Sequence, residues 1–145
     1  MNGEKKPFVY HDTEFRESDA VLSPNGRRLA YSSDASKRSE IYVETFPVPE
    51  AGWQISVNGG SLPRWSRDGK ELYFIAPDQK LMAVEIHGEL KSDGSTPKSL
   101  FETHLPVNGR YDVSKAGRFL IPTLLDSAGT VSMTAIVNWT AGLKK

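Results

Sequence analysis

The chain has no cysteine, which removes disulfides, thiolate nucleophiles and cysteine zinc sites together. Neither charge is in excess: 18 Lys plus Arg stand against 18 Asp plus Glu, so no net field draws nucleic acid or an anionic membrane to the surface as a whole. No window approaches the roughly 18 apolar residues of a spanning helix, and the start "MNGEKKPFVY" lacks the apolar core of a signal peptide. As given, the chain reads as soluble, with its compartment open and an anchor in a longer parent still compatible. Helical signals are scarce as well. No segment sustains apolar spacing at i, i+3 and i+4 with caps, and 9 prolines and 12 glycines punctuate the 145 residues. That length suffices for one domain, or for a few repeats that share a core.

What the sequence has is a repeated phrase. Ser23-Pro24-Asn25-Gly26, Ser66-Arg67-Asp68-Gly69 and Ser114-Lys115-Ala116-Gly117 recur at separations of 43 and 48 residues. Each follows a short apolar run ending at Leu22, Trp65 or Val113, and each precedes another, Leu29-Ala30-Tyr31, Leu72-Tyr73-Phe74 or Phe119-Leu120-Ile121. Proline presets φ at the second turn position, Asn or Asp suits the third and glycine accepts φ > 0 at the fourth, so each copy predicts a hairpin between two antiparallel strands. The third copy has Ala116 in the Asx place and is one residue shorter afterwards.

A third strand follows each hairpin, "EIYVETF", "KLMAVEI" and "TAIVNW", and a fourth follows two of them, "WQIS" and "SLFET". Four short antiparallel strands, a to d, at this period predict an all-β propeller blade. Three blades are expected, over residues 19–57, 61–104 and 110–140, the last without its d strand, and residues 6–10 read as an orphan d strand ahead of the first. An open c edge and an unpaired d strand complement each other. The expectation is therefore a partial propeller, completing a six-bladed ring by dimerisation through those two edges, or a fragment of a larger ring.

"LSPNGRRLAYSSD", "WSRDGKELYF" and "SEIYVETFPVP" resemble the Pro-Asp, WD-repeat-like repeats of TolB-type β-propellers. The stretch "FPVPEAGWQISVNGGSLPRWSRDGKELYFIAPDQKLMAV" and the ending "VNWTAGLKK" are similar to the C-terminal propeller region of large bacterial serine/threonine protein kinases. The resemblance implies a non-catalytic module that senses a ligand or scaffolds a protein, beside a kinase domain or gating a peptidase. None of the kinase motifs falls in this chain.

The candidate site residues lie in the connections. Asp12 and Glu14, with Glu17 and Asp19, surround Arg16 in "HDTEFRESD"; the plain reading is a solvated acidic linker, the functional one a channel-side cluster for a hard cation such as calcium. Asn58, Gly59 and Gly60 precede Ser61 in "VNGGSLP", without the elbow a catalytic serine needs. This is an inter-blade loop, or a place where backbone N–H groups meet a ligand. Arg64 stands opposite Val21 and Asp112 in the repeat frame, and Arg110 near the third a strand; the alternatives are surface ion pairing and an anionic group on the channel side. Trp65 and Phe74 read as core. His11, His87 and His104 are too scattered for a zinc motif, and Asn138-Trp139-Thr140 is a bare glycosylation pattern.

Function is therefore expected in connections and open edges rather than in the repeated phrase: a binding or scaffold module with no enzyme activity of its own and no cofactor. The alternatives are the sensor region of a kinase-type receptor, and a channel-site hydrolase or lyase uniting His11, Glu14 or Arg64. The partners expected are a second copy, another protein or a small ligand.

Overall fold

The computed structural model describes residues 7–50, 52–87, 96–125 and 130–136. Its turns follow from the residue types in the repeated phrase. Gly26 N–H donates to Ser23 O at 2.8 Å, Gly69 N–H to Ser66 O at 3.0 Å and Gly117 N–H to Ser114 O at 2.9 Å, with the three glycines at φ 69°, 71° and 74°. The Asx side chain locks the first two copies from inside. Ser23 Oγ donates to Asn25 Oδ1 at 2.8 Å and accepts from Arg28 N–H at 3.0 Å; Ser66 Oγ donates to Asp68 Oδ1 at 2.7 Å and accepts from Glu71 N–H at 3.0 Å. With Ala116 in the third copy, Ser114 Oγ takes Arg118 N–H at 3.1 Å, one residue earlier in the loop.

Each hairpin opens an antiparallel sheet. The first holds β1 (Glu17–Leu22), β2 (Arg28–Ser33), β3 (Glu40–Thr45) and β4 (Trp53–Gln54); the second β5 (Ser61–Trp65), β6 (Glu71–Ile75), β7 (Lys80–Glu85) and β8 (Lys98–Glu102); the third β9 (Asp112–Val113), β10 (Phe119–Leu125) and β11 (Thr130–Ile136). Chain order equals spatial order in every sheet, which makes each a blade of an all-β partial propeller. Both β1 and β9 pack against β5, so the a strands form the hub.

The core lies between blades, not within them. Leu72, Phe74, Val84 and Ile86 of blade 2 meet Ala30, Ile41 and Val43 of blade 1, with Trp65 and Val21 packed alongside. Alternation sends Tyr73, Ile75, Leu81 and Ala83 to the other face of the same two strands, where they meet Tyr111, Phe119 and Ile121 of blade 3. Blade 2 is thus covered on both sides; blade 1 has one face against blade 2 and Tyr10 and His11 across part of the other, and blade 3 meets blade 2 on one face.

Some details depart from the sequence reading. Of the orphan d strand expected at residues 6–10, Lys6 lies outside the described residues, and residues 7–10 join no ladder within the single chain. Part of the acidic stretch is strand rather than linker, since Glu17 pairs with Ser33 in the β1–β2 ladder. That extension requires a bulge. The ladder slips between Ser18 and Val21, and β5 slips at the equivalent place between Ser61 and Arg64; Asp19 (φ 55°) and Leu62 (φ 53°) take the left-handed conformation there. The third c strand begins at Thr130, ahead of the expected Thr134. Asn138 lies outside the described residues.

Candidate functional site

The groups that sequence reasoning marked in "HDTEFRESD" divide between contact and exposure. His11 lies across the face of blade 1 that points away from blade 2, with Nδ1 3.0 Å from Glu17 Oε2 and Nε2 2.9 Å from Glu44 Oε1. The second approach falls outside hydrogen-bonding angles, so the buried Glu44 Oε1 has no in-line donor. Tyr10 stacks on His11 at 4.9 Å and donates its hydroxyl to Thr45 O at 2.5 Å, while Tyr31 meets the imidazole edge-on at 5.3 Å. Burial, with the Glu44 carboxylate adding to it, pushes both tyrosine hydroxyls above their ordinary range. Asp12 and Glu14 stay exposed outside this cluster. Arg16 joins Asp34 through its backbone, N–H to Oδ1 at 2.8 Å. Among the described residues no three His, Asp or Glu side chains converge in a metal-binding group.

The connection through Asn58, Gly59 and Gly60 is held by a buried carboxylate. Glu40 is fully buried; Arg38 Nε donates to it at 2.6 Å, Gly59 N–H reaches both its oxygens at 3.0 Å, and the Ser56 hydroxyl donates to it. Gly60 N–H donates to Ser39 O at 2.9 Å. These glycines permit close approach of the blades: a Cβ on Gly59 (φ 94°) would stand 2.5 Å from Pro77 Cγ, and one on Gly60 2.8 Å from Ile41 Cγ1. Asn58 is exposed at the bend. Sequence reasoning passed over Glu40 because an acid opening a strand reads as solvated, and its partners arrive from the following connection.

Arg110 and Arg64 have separate fates. Arg110 Nη1 lies 3.3 Å from Asp19 Oδ1, and the two border a cleft of about 570 Å3 shared with Leu62, Gln79, Leu105 and Asn108. Arg64 donates to Pro63 O at 2.8 Å and lies over the Tyr111 ring, 5.9 Å from its centroid, with no carboxylate partner among the described residues. It lines a second cleft, of about 310 Å3, together with Trp65, Arg67, Leu22, Val113 and Lys115. Neither cleft is lined by His11 or Glu14. Trp65, expected as core, packs partly against the first interface and donates its indole N–H to Val21 O at 3.2 Å.

Comparison with known proteins fits this geometry to a fold. TolB from Acinetobacter baumannii superposes with a TM-score of 0.62 at 17% identity, over 83% of this chain and 29% of that one. Oligogalacturonate lyase from Vibrio parahaemolyticus superposes at 0.55 and 14% identity, over 81% and 35%. The chain has the fold of a TolB-like β-propeller, in part. By sequence it is similar to dipeptidyl-peptidase 5 of Trichophyton tonsurans, 26% identical over 129 residues, which are 83% of this chain and 16% of the relative. It is likewise similar to a probable dipeptidyl-peptidase 5 of Arthroderma benhamiae, 31% identical over 86 residues, 54% of this chain and 12% of that one. The chain therefore spans about a sixth of the length of the curated relatives it matches. No family model matches, and the kinase resemblance finds no support in these relatives.

Proposed function

We propose that this chain is a segment of a non-catalytic β-propeller module that presents its hub and its open blade faces to a ligand or protein. One observation carries the reading: several of the polar groups where chemistry was sought serve the fold, and Asp12, Glu14 and Arg64, which do not, stand outside the His11 cluster. Both ring nitrogens of His11 face carboxylates, the hydroxyls of Ser23 and Ser66 close their own turns, and the N–H groups of Gly59 and Gly60 serve Glu40 and Ser39. A general base needs a free nitrogen or oxygen aimed at substrate, and the two clefts bordered by Arg64 and by Arg110 are lined by neither His11 nor Glu14. The likeness to dipeptidyl-peptidase 5 supports a second setting, in which the module belongs to a peptidase. Offering the purified chain a dipeptidyl p-nitroanilide and an oligogalacturonate tests the reading: no turnover is expected, and product formation that persists through purification and disappears in His11→Ala overturns it.

Self-association is part of the proposal. Leu22 on the free face of blade 1 is 48% exposed and Leu120 on the free face of blade 3 is 43% exposed. Their counterparts in the repeat, Trp65 and Tyr73, are packed in the two interfaces of blade 2. The face of blade 3 that carries Leu120 corresponds to the face blade 2 offers to blade 3, so a second copy supplies a surface for the part of blade 1 around Leu22 that Tyr10 and His11 leave open.

A further inference from the structure

The 310 Å3 cleft is built from equivalent positions of all three blades. Leu22, Trp65 and Val113 end the a strands, and Pro24, Arg67 and Lys115 take the second turn position in the three copies of the repeated phrase. Equivalent residues of successive blades converge only around a propeller axis, so the cleft lies at the end of the hub where the hairpins turn. Its charge is of one sign. Arg64, Arg67 and Lys115 line it, and among the described residues no Asp or Glu does, in a chain whose total charge balances.

Arg64 is the best-placed of the three. Its backbone bond to Pro63 O and its seat over Tyr111 fix the guanidinium without neutralising it, and a fixed guanidinium is matched in shape to a carboxylate. The cleft also carries apolar surface, beside Ser66 and Ser114. Trp65 is pinned by its indole bond to Val21 O, and Val21, Leu22 and Val113 extend the surface around it. Like-signed cations around one concavity add their fields toward an anion.

We infer that this hub cleft binds a small organic carboxylate with an apolar body, its carboxylate on Arg64 and its body against Trp65, Leu22 and Val113, while Arg67 and Lys115 attract it from the rim. The inference rests on the binding-module reading and names the class of ligand for it. The apolar surface of Trp65, Leu22 and Val113 favours such an anion over inorganic phosphate.

The test titrates the full chain with phenylsuccinate and follows Trp fluorescence and heat, with inorganic phosphate and 3-phenylpropanol as comparators. Saturable binding of phenylsuccinate is expected, at least about tenfold tighter than either comparator, because each lacks one half of the recognition. Arg64→Ala weakens it by about tenfold or more, Arg64→Lys recovers part of the loss, and Arg110→Ala, outside the cleft, leaves affinity unchanged. If Arg64→Ala fails to fold, the exposed pair Arg67→Ala with Lys115→Ala carries the test: weaker binding and a flatter dependence on salt are expected. Absence of saturable binding, phosphate binding as tight as phenylsuccinate, or affinity indifferent to these cations in folded variants overturns the inference. Substrate turnover overturns the module reading instead, so the two failures are told apart.

Discussion

Arg110 of the blade 2 to blade 3 connection reaches Asp19 of blade 1, Nη1 to Oδ1 at 3.3 Å, past the inner strand of the blade between them. The Arg110 side chain is 66% exposed, and an exposed pair gains little over its hydration. Arg110→Ala is therefore expected to shift unfolding free energy by no more than about 0.5 kcal/mol, read by urea denaturation. A loss several times larger would make the pair a structural tie across the hub.

Gly59 and Gly26 separate two reasons for glycine. Both have positive φ, but a Cβ at Gly26 meets nothing within 4 Å while one at Gly59 runs into Pro77. Gly26→Ala is expected to cost about 1 kcal/mol, and Gly59→Ala roughly 2–4 kcal/mol, the conformational term plus overpacking. Adding Pro77→Ala to Gly59→Ala should return part of the difference in a denaturation series. No return would place the cost in the backbone alone.

Glu40 gathers the Arg38 guanidinium, the Ser56 hydroxyl and the Gly59 N–H. Glu40→Ala strands the Ser56 hydroxyl and the Gly59 N–H in the interior, a loss of about 2–3 kcal/mol. Glu40→Gln keeps an acceptor oxygen and gives up the charge opposite Arg38, so about half that loss is expected. Equal midpoints for the two variants in guanidinium would show that the charge, not the hydrogen bonding, matters.

Asp68 gives the acid limb of stability a sign. The Lys70 backbone N–H, then the Ser66 hydroxyl, hold its carboxyl below the ordinary value of 3.8. A carboxyl with a lowered folded pKa stabilises above its unfolded pKa, and that contribution is lost as pH falls through the folded value. Asn25 fills the same place in the first turn, so Asp68→Asn should match the parent within about 0.5 kcal/mol at pH 7 while losing less melting temperature from pH 5 to pH 2. Asp68→Ala breaks the turn and is expected to cost about 1 kcal/mol at pH 7. Superimposable acid limbs for Asp68→Asn and the parent would remove Asp68 from the pH dependence.

Leu22 and Leu120 test the self-association. Light scattering is expected to give twice the chain mass, and Leu22→Asp or Leu120→Asp to return it to a single chain by placing a charge in an apolar interface. A parent that stays a single chain across a hundredfold concentration range contradicts the proposal.

The hairpins, strand order and period were legible because turn chemistry is local: Ser, Asx and Gly within four residues fix each fold-back without distant help. The bulges were not. Asp tolerates the left-handed region, but nothing in Leu62 announces it, and the conformation is imposed by the hub packing around it. The buried acids escaped for a related reason. Glu40 depends on Ser56 and Gly59, and Glu44 on His11, so their burial is a property of the assembled blade rather than of the strand they sit in. The two arginines read as equivalent from sequence are distinguished only by what lies within reach of each: a carboxylate for Arg110, a carbonyl and an aromatic face for Arg64. Arg67 and Lys115, far apart in sequence, line one cleft only because the blades close around the axis.

Both faces of β6 and β7 are clad, one by each neighbour, and this bears on how such a chain can arise by copying. A lone unit would show two apolar faces to water. Every duplication covers one face and opens another, so lengthening the array is rewarded at each step yet never finished. Growth ends where the last face meets the first, and the angle between adjacent sheets, rather than the sequence of any single copy, sets how many copies that takes.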